Sequence, residues 1–149
     1  CYGLRGAGFR LVGMRATAIA TVAAPVARVW AVLSDYEGMS QWAPGMKATL
    51  VRYGDFEHNG VGAQRSLRML PFLPPFVEEV TTFEPERRLT YQAVSGVPFR
   101  NYVGDVELRS IGEGTEINYT VSADNRIPGV AAALANVLLL ALKRQVRRR

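Results

Sequence analysis

Apolar and polar residues alternate along most of this chain, and they change to helical spacing in only a few places. Arg15–Ala23 (RATAIATVA) alternates with a period of two and is rich in β-branched residues, which predicts a strand. Ala24-Pro25 ends it, and Pro25 suits a helix start, where its missing N–H costs nothing. Val26, Val29, Trp30 and Leu33 then recur at helical spacing, so 25–34 reads as a short amphipathic helix. Tyr36–Trp42 reads as a second short helix, closed by Pro44-Gly45. Strands follow at Met46–Tyr53, Gly62–Met69, Val77–Phe83, Leu89–Ser95, Asn101–Ser110 and Thr115–Ala123. The turn clusters DFEHNG, PFLPP, EPER, GVP and GEG separate them, and such short connections imply an antiparallel meander. The last element, Pro128 to about Val146, is a helix rich in Ala and Leu. Asn136, Lys143 and Arg147 fall on one narrow stripe of it. Leu134, Val137, Leu138, Leu139, Leu142 and Val146 fan across more than half of the remaining circumference, a face that needs a sheet to lie against. The order is strand, two short helices, six strands and a long helix: an α+β domain.

The alternation also sorts the strands into faces. Tyr102, Val106 and Leu108 share one side of their strand, Ile117, Tyr119 and Val121 one side of the next, and Leu89, Tyr91 and Ala93 match them. An interior tyrosine wants a partner for its hydroxyl, so these phenols either bond to the protein or face a ligand. Two charged residues interrupt the apolar faces. Arg65 falls among Val61, Ala63, Leu67 and Met69, and Glu78 falls with Phe76, Val80 and Thr82. On neighbouring strands they are expected to pair, since an unpaired buried charge is costly. In the other register Glu79 takes the place of Glu78, and Arg65 could also reach out at the sheet edge. The mouth of a site is expected near Tyr36–Gly45 and the turns opposite it, where Trp42, Pro44, Met46, the LPFLPP run at 70–75 and Val97-Pro98-Phe99 are apolar for loops and form the expected rim.

Composition narrows the function. The chain has 149 residues, 48% hydrophobic and 21% charged, which is one ordinary globular domain. Its net charge of +5 comes from the ends: Arg5, Arg10 and Arg15 at one, Arg144, Arg147, Arg148 and Arg149 at the other. No aromatic-basic interleaving accompanies them, so nucleic-acid binding is not expected. Cys1 is the one cysteine, which points to a reducing, cytoplasmic setting, and the preference for Arg over Lys points to a GC-rich bacterial genome. The apolar run Val130–Leu142 is too short to span a bilayer. His58 is the one histidine and lies in a polar turn, so neither a zinc site nor a Ser-His-Asp triad is expected. No phosphate-binding or dinucleotide-binding loop occurs. No cofactor or metal is expected. Residues 1–13 lack periodicity and a signal-peptide pattern, and they read as an N-terminal extension before a single domain over 14–149.

The run VAAPVARVWAVLSDYEGMSQWAPGMKATLV, with Gly60–Arg65, Val77–Val80, FEPERRLTY (83–91) and Gly114-Thr115, resembles the polyketide cyclase/dehydrase and lipid transport members of the START-like (SRPBCC) superfamily. The resemblance covers Ala16 to about Arg147. It implies a helix-grip fold: a seven-stranded antiparallel sheet wrapped around the C-terminal helix, with a hydrophobic cavity between them. It also implies that a lipid, isoprenoid or polyketide-like molecule is carried or sensed there. The expected lining is Leu67, Val80, Tyr91, Tyr102, Val106 and Tyr119 from the sheet and Leu134 and Leu138 from the helix. Arg65 and Glu78 would form its polar centre, and Trp42 and Met46 would stand at its mouth. The alternative is a cyclase, aromatase or dehydratase that uses Arg65 as electrophile, Glu78 as base and Tyr102 or Tyr119 as proton donor. A third reading is a quinone-binding, ribosome-associated or membrane-associated module. In that reading Arg144, Arg147, Arg148 and Arg149 touch anionic lipid or RNA. Leu140 beside the polar stripe would allow a homodimer as well as a monomer.

Overall fold

The computed structural model of the chain describes residues 13–38, 47–68, 72, 74–96, 100–124 and 130–148. Strand β1 (Met14–Val22) leads into helix α1 (Val26–Leu33). Strands β2 (Lys47–Arg52), β3 (Gln64–Arg68), β4 (Phe76–Glu84), β5 (Arg88–Ser95), β6 (Val103–Ile111) and β7 (Gly114–Ala123) follow, and helix α2 (Val130–Arg148) closes the chain. The seven strands form one antiparallel sheet in the order β1-β7-β6-β5-β4-β3-β2. The meander from β2 to β7 thus takes the first strand onto its far edge.

Local chemistry explains the elements. Pro25, with φ −65° and ψ 151°, is the N-cap of α1, and its carbonyl accepts from the N–H groups of Arg28 and Val29. Val29, Val32 and Leu33, at helical spacing, are the buried face of α1. Ser34 ends the helix, with both its hydroxyl and its N–H donating to the Trp30 carbonyl. Asp35 then accepts from the Gly38 N–H at 3.0 Å and fixes a turn at Tyr36–Gly38. The expected second helix therefore starts as a turn, and its remainder lies outside the described residues. Alternation sets the strands: β7 buries every second residue from Thr115 to Ala123. Outward residues pair across strands, as Arg88 does with Asp105 at 2.7 Å and Thr17 with Thr120 at 2.8 Å.

Helix α2 lays Ala135, Leu139, Ala141, Leu142, Gln145 and Val146 into the interior, with Leu138 half-buried. Its main footprint is on β1, β7 and α1. The inner face of β3, β4 and β5 extends beyond that footprint.

Three expectations need correction. Val137 is 53% exposed, so the buried arc of the helix is narrower than its apolar arc. Val61 is also exposed, because Gly62 (φ 90°) turns the chain before β3 begins at Gln64. In β4 a bulge between Val80 and Thr82 passes the inward position to Phe83. Phe83 stands opposite Leu89 and packs edge-on against Trp30, with ring centroids 5.0 Å apart. The expected strand over Met46–Tyr53 is present from Lys47 to Arg52, and Met46 lies outside the described residues.

Candidate functional site

The β3–β4 register sets Arg65 directly opposite Glu78, on the inner face. Directly opposed residues of antiparallel strands share a face, so the two side chains meet in the interior rather than at the edge. Arg65 donates from Nε to Glu78 Oε2 at 2.8 Å, and its Nη2 lies 2.7 Å from the same oxygen. Both residues are 3% exposed. The Arg65 guanidinium is also held between two aromatic rings, 4.9 Å from the centroid of Tyr36 and 4.6 Å from that of Tyr91. Glu79, the alternative partner, points outward and accepts from Gln64 Nε2 at 3.0 Å.

A chain of phenols continues from this pair. Tyr91 on β5 and Tyr119 on β7 are two strands apart, yet their hydroxyls are 2.5 Å from each other. The strand between them carries Gly104 opposite Tyr91. With no side chain there, the Tyr91 ring can lie across β6 and reach β7, a close approach that strand glycines often mark. The Tyr102 ring lies 6.4 Å from Tyr91. Tyr36, Tyr91 and Tyr119 are almost fully buried, and Tyr102 is 7% exposed.

Burial dominates the electrostatics. It pushes the Glu78 carboxyl up, and the charge and hydrogen bond of Arg65 pull it back only in part. Burial works against the Arg65 charge too, but Glu78 and the tyrosines Tyr91, Tyr36 and Tyr119 more than offset it, so Arg65 stays protonated. Burial also pushes up the phenols of Tyr36, Tyr91 and Tyr102, and it pushes Tyr119 up to about 12 from an ordinary 10.0. These groups are hydroxyl donors at neutral pH.

A pH dependence follows. Raised folded-state values mean that the folded chain holds phenol protons which the unfolded chain releases. The stability due to Tyr119 is fully present below pH 10 and is lost as pH rises from 10 to about 12. Two pH units correspond to about 3 kcal/mol. Tyr36, Tyr91 and Tyr102 act in the same direction. Ultraviolet titration of tyrosinate is expected to show these four phenols silent at pH 10 and ionising together with a cooperative unfolding transition above it. Four independent titrations near pH 10 in folded protein would contradict it.

The structure thus brings Arg65, Glu78, Tyr91, Tyr102 and Tyr119 into one buried cluster. Leu67, Val80 and Val106 are buried on the same face of the sheet. Leu138 is half-buried on α2, and Leu134 belongs to that helix with its side chain outside the described ones. Trp42, Met46 and Val97-Pro98-Phe99 also lie outside the described residues, as do residues 1–12 and most of 69–73. Two participants lie outside the expected lining, Tyr36 and Gly104. The glycine at an inward position of an alternating strand was the available signal for Gly104. Tyr36 was expected only as the start of the mouth, and the turn after α1 folds its ring back over Arg65. His58 is exposed, with its ring 4.4 Å from the Tyr53 ring and its Nε2 3.4 Å from Glu37 Oε1. Among the described residues no group of His, Cys, Asp and Glu side chains is arranged to hold a metal. No helix among them is long and apolar enough to cross a membrane.

Comparison with known proteins agrees with this architecture. The profile of the family described as polyketide cyclase / dehydrase and lipid transport matches residues 14–148. No curated protein matches the chain in sequence. Solved structures do match in fold. A protein from Nitrosospira multiformis shares 22% identity over 91% of this chain and 100% of its own, with a TM-score of 0.72. A norcoclaurine synthase point mutant of Thalictrum flavum, in complex with a transition-state analogue, shares 16% over 92% and 96%, with a TM-score of 0.73. A START superfamily protein from Mycobacterium smegmatis shares 15% over 90% and 97%, with a TM-score of 0.71. The chain belongs to the polyketide cyclase/dehydrase and lipid transport family, and its seven-stranded antiparallel sheet with a C-terminal helix is the helix-grip fold, shared with the START superfamily structure.

Proposed function

We propose that the chain binds a small hydrophobic molecule of lipid, isoprenoid or polyketide type between its sheet and α2, as a carrier or sensor. The Arg65–Glu78 pair with its tyrosines is the polar end of that site. The observation that carries this reading is the pair itself. A buried ion pair is often no more stabilising than apolar residues of the same volume, so its presence in an apolar interior asks for a role other than stability. The connections give a second support. The ends of β3, β5 and β7 and the starts of β2, β4, β6 and α2 lie at one end of the sheet. The apolar segments expected to form the rim connect there, and they would give the ligand its entrance. Titration with a fluorescent apolar probe tests the site: saturable binding near one probe per chain supports it, and no binding refutes it.

The raised carboxyl of Glu78 favours a second reading, catalysis on the same ligand. There Glu78 would take the proton from a carbon between two carbonyls. The resulting enolate would attack a further carbonyl held by Arg65, and Tyr102 or Tyr119 would protonate the new alkoxide. Loss of water would follow. Incubation with a poly-β-ketone thioester, followed by mass spectrometry, decides between the readings. A product lighter by one water, absent with Glu78→Gln, identifies an enzyme; an unchanged ligand identifies a carrier.

If the ligand is loaded at a membrane, α2 offers a surface for it. Val137 and Leu140 are exposed on α2, and Leu140 shares a shallow groove with Lys143, Arg144 and Arg147. Apolar residues flanked by cations fit an anionic bilayer surface. Replacing Arg144, Arg147, Arg148 and Arg149 with Gln is expected to abolish co-sedimentation with phosphatidylglycerol vesicles, since each charge near the surface contributes about 1 kcal/mol. Probe binding is expected to be unchanged. Equal co-sedimentation of the variant would remove this contact from the account.

A further inference from the structure

Tyr36 is 1% exposed, and its hydroxyl makes no hydrogen bond, one of two such buried side-chain atoms among the described residues. The other is Asn59 Oδ1, whose own amide nitrogen is satisfied by the Ser34 carbonyl at 2.8 Å. Buried polar groups are nearly always paired, and one left unpaired is costly to the fold. Tyr36 is not a stray case, because its ring lies over the Arg65 guanidinium at 4.9 Å, beside the polar end of the proposed site. The Tyr91 and Tyr119 hydroxyls bond to each other, and Arg65 directs two nitrogens to Glu78. Tyr36 thus brings an unused O–H donor to a cluster whose one positive and one negative charge already cancel. An anionic head group would add an uncompensated charge to this interior, which is expensive. A neutral acceptor oxygen adds none.

We infer that Tyr36 recognises the ligand by donating a hydrogen bond to a neutral carbonyl oxygen, of a ketone, aldehyde or quinone, and that the balanced Arg65–Glu78 pair disfavours carboxylates. This rests on the ligand-binding reading above and makes it narrower. It places a specificity-determining residue in the turn after α1, at the start of the expected mouth and outside the expected lining.

The test compares wild type with Tyr36→Phe using three fluorescent probes. Prodan is a neutral naphthyl ketone whose emission shifts to the red when its carbonyl accepts a hydrogen bond. Dimethylaminonaphthalene is the same ring system without the propionyl group. Parinarate is an apolar chain ending in a carboxylate. Tyr36→Phe is expected to weaken Prodan about tenfold, the loss of one net hydrogen bond. Its bound emission is expected to shift to the blue, with dimethylaminonaphthalene unaffected. Parinarate is expected to bind wild type more weakly than Prodan at neutral pH. The melting temperature of the ligand-free variant is expected to equal or exceed that of wild type, because the change removes an unsatisfied group. A lower melting temperature would make the hydroxyl structural and overturn the inference. Equal Prodan affinity in the two proteins would overturn it and leave the ligand site standing, as would parinarate binding as tightly as Prodan. Failure of all three probes to bind would overturn the site and the inference together.

Discussion

Replacing Arg65 alone with methionine is expected to destabilise the folded chain by about 3–5 kcal/mol, because it strands the Glu78 carboxylate in an apolar interior. Glu78 is 3% exposed, and its carboxylate is held by Arg65 across the β3–β4 register. The folded variant must either protonate Glu78 or distort around it. Replacing both residues, Arg65→Met with Glu78→Leu, is expected to restore stability to the wild-type level or above it. The methionine can lie between Tyr36 and Tyr91 where the guanidinium now stacks, and no charge remains to be desolvated. Urea denaturation of Arg65→Met, Glu78→Leu, the double variant and wild type gives the coupling directly. A single variant within about 1 kcal/mol of wild type, the range of an exposed pair, would show that the pair is solvated. The double variant carries the functional meaning. A fold that survives it while ligand binding fails separates the role of the pair from the stability of the sheet.

Gly104→Ala has the second largest expected effect. In an ordinary strand this change is favourable by about 0.5–1 kcal/mol, since glycine loses more backbone freedom on folding. Here the new methyl group would overlap the outer atoms of the Tyr91 ring. Tyr91 is 2% exposed and cannot swing into solvent. The ring must lift off β6, which breaks the Tyr91–Tyr119 hydrogen bond and removes one face of the Arg65 stack. The expected cost is about 1–3 kcal/mol, the range for overpacking a close-packed interior. Adding Tyr91→Leu to Gly104→Ala is expected to recover much of it by removing the atoms that clash. A stabilising Gly104→Ala would mean that Tyr91 does not cross β6.

Much of this fold was legible in the sequence, for a physical reason. Strands with one buried face must alternate, so β6 and β7 could be read residue by residue, including the inward Val106, Tyr119 and Val121, with Tyr102 just ahead of β6. Arg65 and Glu78 were legible because a charge on an apolar face has few ways to be satisfied. The misreadings have physical causes too. The bulge after Val80 moves Phe83 inward in place of Thr82, and a period of two carries no mark of where one residue is inserted. Val137 belongs to the apolar arc of α2 by type, but the width of the buried arc is set by how much sheet the helix covers. Tyr36 was legible only as the start of the expected mouth. Its contact with Arg65 comes from a turn capped by Asp35 that folds the ring back, a tertiary contact with no period to announce it. The identity of the proposed ligand was illegible for a similar reason, since it would depend on the shape left between side chains.

The central claim is that this chain holds an apolar small molecule with its polar end at Arg65, Glu78 and the tyrosines. The most direct test is mass spectrometry of the organic extract of purified, natively folded protein, compared with an extract from a mock purification. One class of apolar compound is expected, enriched to near one molecule per chain and absent from the Arg65→Met, Glu78→Leu double variant purified in the same way. An extract matching the mock, from protein that also fails to bind Prodan, would mean that the interior is full and that the buried pair serves the fold alone.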